Sequence, residues 1–140
     1  MPENSNTGIA TDFFAADNFA RENGIKLIEA SPGHALVSME ISNRHKNSHG
    51  TVHGGALFTL ADCAFGLASN LHGIPAAGIN AHISYMTAAR EGTLIAEAKE
   101  FTLNPKLASY TVTLTDENEN KIAIFQGMAY RKTPGKDTTQ

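Results

Sequence analysis

The chain has 140 residues, 41% of them hydrophobic, which is the size of one domain able to bury a proper core. Its formal net charge of −3, with 11 Lys and Arg residues scattered along the chain, argues against a nucleic-acid partner. Cys63 is the one cysteine, so no internal disulfide forms, and the absence of a signal-peptide start or a long apolar run predicts a soluble cytoplasmic protein with no membrane partner.

In chain order, the polar ends 1–10 and 133–140 are expected to be disordered tails around one domain at 11–132. Phe13, Phe14 and Phe19 are spaced as one amphipathic helix over Asp12–Asn23, stopped by Gly24. Ala35, Val37, Met39 and Ile41 alternate with Leu36, Ser38, Glu40 and Ser42, the period-2 pattern of a half-buried strand. A long apolar helix follows, ended by Gly73 and Pro75. Strands are then predicted over 79–85, 93–101, 109–115 and 122–130, with Asp116-Glu-Asn-Glu-Asn120 as the hairpin tip between the last two. The economical architecture is α+β, an antiparallel sheet of about six strands curled around the buried helix.

The helix carries the chemistry. Ala56-Leu-Phe-Thr-Leu-Ala-Asp62-Cys-Ala-Phe-Gly-Leu-Ala68 is apolar nearly all round, the mark of a buried helix, yet holds a carboxylate with no charged neighbour along it. Burying such a group unpaired is costly, which favours a working acid over a decorative one. Before it stands Asn47-Ser-His-Gly50-Thr-Val-His53-Gly54-Gly55, placing an amide, an imidazole and two glycines where free N–H groups and a positive dipole end favour developing negative charge. Gly54 and Asp62 are eight residues apart, about 12 Å along a helix axis. Attack at a carbonyl needs groups about 3 Å apart. Both groups can therefore meet at one carbonyl only if two antiparallel copies of the helix come together, which predicts a symmetric dimer with two shared sites. Cys63 points about 100° away from Asp62 and reads as a small buried hydrophobe. His45, His49 and His53 are spaced as a metal face would be on a helix, but the intervening glycines and Asn47-Ser48 argue against a helix there, so no metal site is expected. His34, His72 and His82 read as ordinary surface or core histidines, and Asn47 has the alternative of shaping a turn.

These residues carry a family resemblance. The pattern Asn47-x-x-Gly50-x-x-His53-Gly54-Gly55, followed by Leu60-Ala-Asp62-Cys-Ala-Phe65 and Asn70-x-x-Gly73, resembles the hotdog-fold acyl-CoA thioesterases of the phenylacetate-degradation (PaaI) group, over roughly residues 12 to 131. The resemblance implies a hotdog dimer, often paired into a tetramer, that hydrolyses acyl-CoA thioesters, aryl-acetyl-CoA among the candidates, without metal or organic cofactor. It implies that Asp62 is the nucleophile or general base, that the Gly54 N–H lies in the oxyanion hole, that Asn47 positions the thioester or water, and that His53 supports the turn or the carbonyl. Where many relatives carry Ser or Thr after the helix, this chain has Gly78-Ile-Asn-Ala-His-Ile-Ser84, which makes Asn80 and His82 the stand-ins. A common Gly-Arg or Gly-Lys pair is replaced by Asn104-Pro105-Lys106, which leaves Lys106, Arg90 and Arg131 as candidates for the CoA phosphates. Gly55 would assist at the carbonyl, and Leu57, Phe58 and Phe65 would wall the acyl groove. Two other readings use the same fold: an enoyl-CoA hydratase, which wants a His close to the Asp, and a non-catalytic acyl-CoA binding module.

Overall fold

The computed structural model describes residues 2–132, and side chains from residue 8 onward; Met1 and the tail expected at 133–140 lie outside the described residues. Helices α1 (Pro2–Ala15) and α2 (Asn18–Glu22) are followed by strands β1 (Ile25–Ser31) and β2 (His34–Glu40), helix α3 (Gly54–Ser69), and strands β3 (Ala76–Tyr85), β4 (Thr93–Leu103), β5 (Leu107–Thr115) and β6 (Lys121–Arg131). All six strands form one sheet in the order β1-β2-β4-β5-β6-β3, with every pairing antiparallel. The sheet curls around α3, as the α+β reading requires.

Two local expectations near the N-terminus are corrected. The expected tail at 1–10 is instead the start of α1: Pro2 suits a first helical turn, where its missing N–H is no loss, and Ala10 is buried on the side toward β1. The single helix expected over 12–23 is two helices, because the Asp17 carboxylate caps a new one by accepting from Ala20 N at 3.1 Å. β1 is an element the periodicity does not reveal. Its pairing with β2 slips between Leu27 and Glu29, a bulge that leaves Ile28 and Glu29 exposed in succession and breaks the alternation begun by Ile25 and Leu27.

On β2, on the first six residues of β4 and on β5 the alternation holds. Ala35, Val37 and Met39 on β2, Leu94, Ala96 and Ala98 on β4, and Ala108, Tyr110, Val112 and Leu114 on β5 are all buried toward α3. Cross-strand pairs such as Ala35 with Ala98 and Ala98 with Val112 keep much of that surface small, so the helix can lie close to the sheet. The hairpin tip at 116–120 is built by Asp116, whose Oδ1 accepts from the N–H groups of Asn118 and Asn120, both at 2.9 Å.

Helix α3 ends earlier than Gly73 and Pro75 would have it. Asn70 donates from its backbone and from Nδ2 to the Gly66 carbonyl, at 3.1 and 2.9 Å, while its Oδ1 accepts from Ala76 N at 2.9 Å. One side chain thus stops the helix and fixes the first residue of β3. A second tie lies beyond the same helix end, where His72 Nε2 and the Tyr110 hydroxyl both meet Glu100 Oε1, at 2.7 and 2.9 Å.

The middle of α3 is held by aromatic packing. Phe65 lies 5.6 Å from Tyr110 and 5.7 Å from Phe125 between ring centroids, and Phe58 meets Phe125 edge-on at 5.3 Å. Gly127 makes room for this stack: a Cβ there would lie 2.9 Å from ring atoms of both Phe65 and Phe125. Gly127→Ala is therefore expected to cost about 1–3 kcal/mol through overpacking, read as a lowered Tm in thermal unfolding. An unchanged Tm would mean that the stack gives way freely.

Candidate active site

The loop leading into α3 is fixed by its own side chains. Asn47 Oδ1 accepts from the N–H groups of His49 (2.9 Å) and Thr51 (3.2 Å), Asn47 Nδ2 donates to Thr51 Oγ1 (3.0 Å), and Gly50 turns the chain with φ of +80°. The turn-shaping alternative for Asn47 is thus realised, with one Nδ2 hydrogen still uncommitted. The three neighbouring histidines do separate jobs. His45 is buried; its Nδ1 accepts from Ser42 N at 3.0 Å, which leaves the proton on Nε2 to donate to the Asn23 carbonyl at 2.7 Å. His49 is exposed in the turn. His53 is the N-cap of α3, its Nδ1 accepting from Gly55 N at 2.8 Å.

That cap decides which amide is free. The Gly55 N–H is committed to His53, and the N–H groups of Ala56 and Leu57 turn back to the His53 carbonyl. The Gly54 N–H has no acceptor among the described residues. Gly54 therefore offers a lone donor at the positive end of a sixteen-residue helix, and Gly55 serves the cap and not a substrate carbonyl. The Gly54 carbonyl accepts from the Tyr85 hydroxyl at 3.2 Å, and the Tyr85 ring closes over the glycine so tightly that a Cβ would lie 3.1 Å from it.

Asp62 lies on the stripe Gly55, Thr59, Asp62, Gly66, the part of α3 that the sheet leaves uncovered, so the carboxylate expected to be buried is exposed in the single chain because that face of the helix meets no strand. Its carboxylate makes no hydrogen bond or ion pair among the described residues. Desolvation against the apolar helix and, next, the negative charge of Asp17 raise its pKa above the usual carboxylate value. Asp17, at the start of α2, is a neighbour that sequence spacing could not show, since 45 positions separate the two residues. Burial, Asp17 and Asp62 together push the Cys63 thiol up to about 12, which keeps it protonated and without nucleophilic character at neutral pH.

The other expected site residues are dispersed. A hollow of about 320 Å³ beside Gly54 is lined by Leu57, Tyr85, Met86 and Ala89, with Thr51 and Thr87 as its polar groups. Phe58 is half-buried against Phe125, and Phe65 is only 3% exposed within the aromatic stack, so Phe65 is a core residue and not a groove wall. Asn80 and His82 pair with Met128 and Gln126 and line a hollow of about 180 Å³ on the sheet face turned away from α3. Within one chain they are not brought to Gly54 or Asp62. Arg90 is exposed beyond the end of β3, and Lys106 is exposed in the β4–β5 turn. β4 runs for eleven residues between those two regions, a span of roughly 35 Å. Arg131 is committed to the Asn104 carbonyl at 2.9 Å. A larger hollow of about 520 Å³ between α1 and β1, with Arg21 and Lys26 on its lining, contains neither Gly54 nor Asp62.

One helix thus carries an unspent N–H donor and a carboxylate of raised pKa, a pair suited to stabilising an oxyanion and to attacking or deprotonating beside it. Comparison with known proteins gives this pair a context. The model of the thioesterase superfamily matches residues 49–123, which include both groups. A putative esterase of Archaeoglobus fulgidus is 43% identical over 107 residues, covering 76% of this chain and 70% of that one. The acyl-coenzyme A thioesterase PaaI of Escherichia coli is 31% identical over 116 residues, covering 82% of this chain and 83% of that one. The solved structure of the E. coli PaaI protein from the phenylacetic acid degradation operon superposes with a TM-score of 0.89 at 28% identity, covering 94% of this chain and 96% of that one.

A raised carboxyl pKa is also a statement about stability. The folded state holds the Asp62 proton more tightly than the unfolded chain, so the protein loses stability as pH rises from the ordinary value of 3.8 through the raised one, and because the carboxylate is exposed, solvent screening keeps that loss small. Asp62→Asn is expected to raise Tm at pH 7, with the gap to wild type closing toward pH 3.8 in thermal scans across pH. A variant with equal or lower Tm throughout would show that the carboxylate is stabilised where it sits.

Proposed function

The chain belongs to the thioesterase superfamily, and on that basis we propose that it hydrolyses acyl-CoA thioesters at two sites, each assembled from the α3 N-terminus of one copy and Asp62 of another. The observation that carries this reading is the unspent Gly54 N–H, with the carboxylate about 12 Å further along the same helix. A second, antiparallel copy supplies what one chain lacks.

The sheet edge supports such pairing. β3 is the terminal strand next to β6, its outer side has no strand partner among the described residues, and most of its length is exposed, with Ile79 at 58% and Tyr85 at 55%. An open strand of this kind invites a neighbouring chain. Antiparallel pairing through β3 would lay the Lys106 end of one chain beside the Arg90 end of the other, so that cations roughly 35 Å apart in one chain could serve one CoA. A dimer of dimers is part of the same proposal.

In the reaction, the thioester oxygen lies on the Gly54 N–H and the helix end stabilises its negative charge as the carbonyl carbon becomes tetrahedral. Asp62 of the other copy either attacks that carbon or takes a proton from the attacking water. On the first route the C–S bond breaks to leave the acyl group on Asp62 as an anhydride, which water then hydrolyses to the acid and the free carboxylate. On the second, water adds to the carbon, the C–S bond breaks to release the acid directly, and the proton held by Asp62 passes to the departing thiolate, so that CoA leaves as the thiol. The spare Nδ2 hydrogen of Asn47 is placed on the same helix end for the carbonyl or the water, and His53 acts through its cap. The chemistry calls for no metal or organic cofactor. The hollow of Leu57, Met86 and Ala89 suits an apolar acyl group, and the name of the E. coli relative's operon favours aryl-acetyl thioesters as first substrates. A hydratase is disfavoured because α3 contains no histidine beside Asp62. The buried, unpaired Cys63 supports a reducing, cytoplasmic setting.

Thiol release from aryl-acetyl and straight-chain acyl-CoAs tests the reading. Wild type is expected to turn over part of the panel, and Asp62→Asn to lose about 10²- to 10⁴-fold in kcat. Ligand binding without turnover would favour a binding module. Because the base form of Asp62 is required, activity falls as pH drops through its raised pKa. Asp17→Asn, which keeps a capping side chain for α2, is expected to move that acidic limb to lower pH in a pH–rate profile. Mixing Asp62→Asn with Gly54→Pro, which removes the donor at a first helical position whose backbone suits proline but whose new Cβ presses on Tyr85 at 3.1 Å, so that folding of the variant is checked by its Tm, is expected to restore about a quarter of wild-type activity, since heterodimers hold one intact site. No restoration on mixing and re-forming the oligomer would rule out shared sites.

A further inference from the structure

We propose that Tyr85 is a positioning residue for the oxyanion donor, acting through the peptide between Gly54 and Gly55; the inference rests on the thioesterase reading above. That peptide is gripped at both ends. Its N–H donates to His53 Nδ1 at 2.8 Å, and its carbonyl accepts the Tyr85 hydroxyl at 3.2 Å. The free donor belongs to the preceding peptide, whose His53 carbonyl accepts from Ala56 N and Leu57 N at 2.9 and 3.2 Å, and it shares the Gly54 Cα with the gripped carbonyl. Rotation about Gly54 would therefore swing the donor relative to a bound carbonyl. Glycine resists such rotation least of all residues, and an alanine here would press on the Tyr85 ring at 3.1 Å. The tyrosine thus imposes the flexible residue and adds, from the strand side, a restraint to the one the helix bonds on the His53 carbonyl already give.

The restraint comes from a well-anchored place. Tyr85 is the last residue of β3 and pairs with Ala123, and the next two N–H groups, of Met86 and Thr87, donate to the Ile122 carbonyl at 2.9 and 3.2 Å. The hydroxyl has one proton to donate, and the Gly54 carbonyl takes it, so the hydroxyl acts on the reacting carbonyl through the backbone while the ring is part of the hollow wall. The hollow beside Gly54 is also lined by Tyr85, which puts the restraint next to the space a substrate would enter.

Tyr85→Phe keeps the ring and removes the hydrogen bond. The expected result is a drop in kcat of about three- to tenfold, the worth of one ordinary hydrogen bond, with KM little changed. A trifluoromethyl ketone analogue of the acyl-CoA, whose hydrate presents an oxyanion, is expected to bind weaker by the same factor, while a thioether analogue binds as before. A purely structural tyrosine would weaken both analogues alike or shift only Tm, and either result overturns the proposal. Turnover by wild type with no change in kcat for Tyr85→Phe overturns this inference and leaves the thioesterase reading standing. Absence of turnover in wild type overturns the thioesterase reading. The clamp is then judged by amide NMR, where faster hydrogen exchange at Gly54 and Gly55 in Tyr85→Phe supports it and unchanged exchange refutes it.

Discussion

A helix that is apolar on nearly every side has to be enclosed, and that requirement organises the chain. Leu57, Leu60, Phe65 and Leu67 leave no broad polar face for solvent, so the sheet curls around α3 and presents small side chains to it. The stripe from Gly55 to Gly66 is what the sheet does not reach, and Asp62 stands there. The aromatic stack on Phe65 and the double use of Asn70 fix the helix along its axis. With the helix fixed, its first free amide is fixed as well.

The same logic explains how the polar residues near the site are spent. Asn47, His45 and His53 would each pass for a ligand or a catalyst by residue type. In the folded chain, Asn47 closes a turn, His45 bridges Ser42 and the Asn23 carbonyl, and His53 caps a helix. Each consumes backbone donors or acceptors that a loop would otherwise leave unmet. By consuming the others they single out the Gly54 N–H.

How far the sequence could be read depended on whether the governing interaction was local. Strands β2 and β5 alternate along their length, β4 and β6 do so over most of theirs, and α3 follows from its apolar length, so these were legible together with the Gly54 and Asp62 pair. β1 was lost to a bulge that breaks its period, and the break between α1 and α2 to a single capping carboxylate. Phe65 looked like a groove wall because a one-dimensional pattern does not say which side of a helix meets the sheet. Asp17 and Tyr85 act on the site across 45 and 31 positions of sequence, and nothing in their immediate neighbours marks them. Asn80 and His82 sit on a strand whose facing was set by a slip in pairing at Ile79.

The strand order has a further consequence for how the chain is made. Among the described residues β3 hydrogen-bonds to β6 alone, and β6 follows every other described strand in sequence. At ribosomal speeds, the residues from Met86 to Arg131 take roughly two to nine seconds to synthesise. From the moment it leaves the ribosome until β6 follows, Ala76–Tyr85, which contains no Asp, Glu, Lys, Arg or proline, has both edges bare. A nascent chain at this stage is exposed to strand addition from any neighbour, and the arrival of β6 closes one edge while leaving the other open.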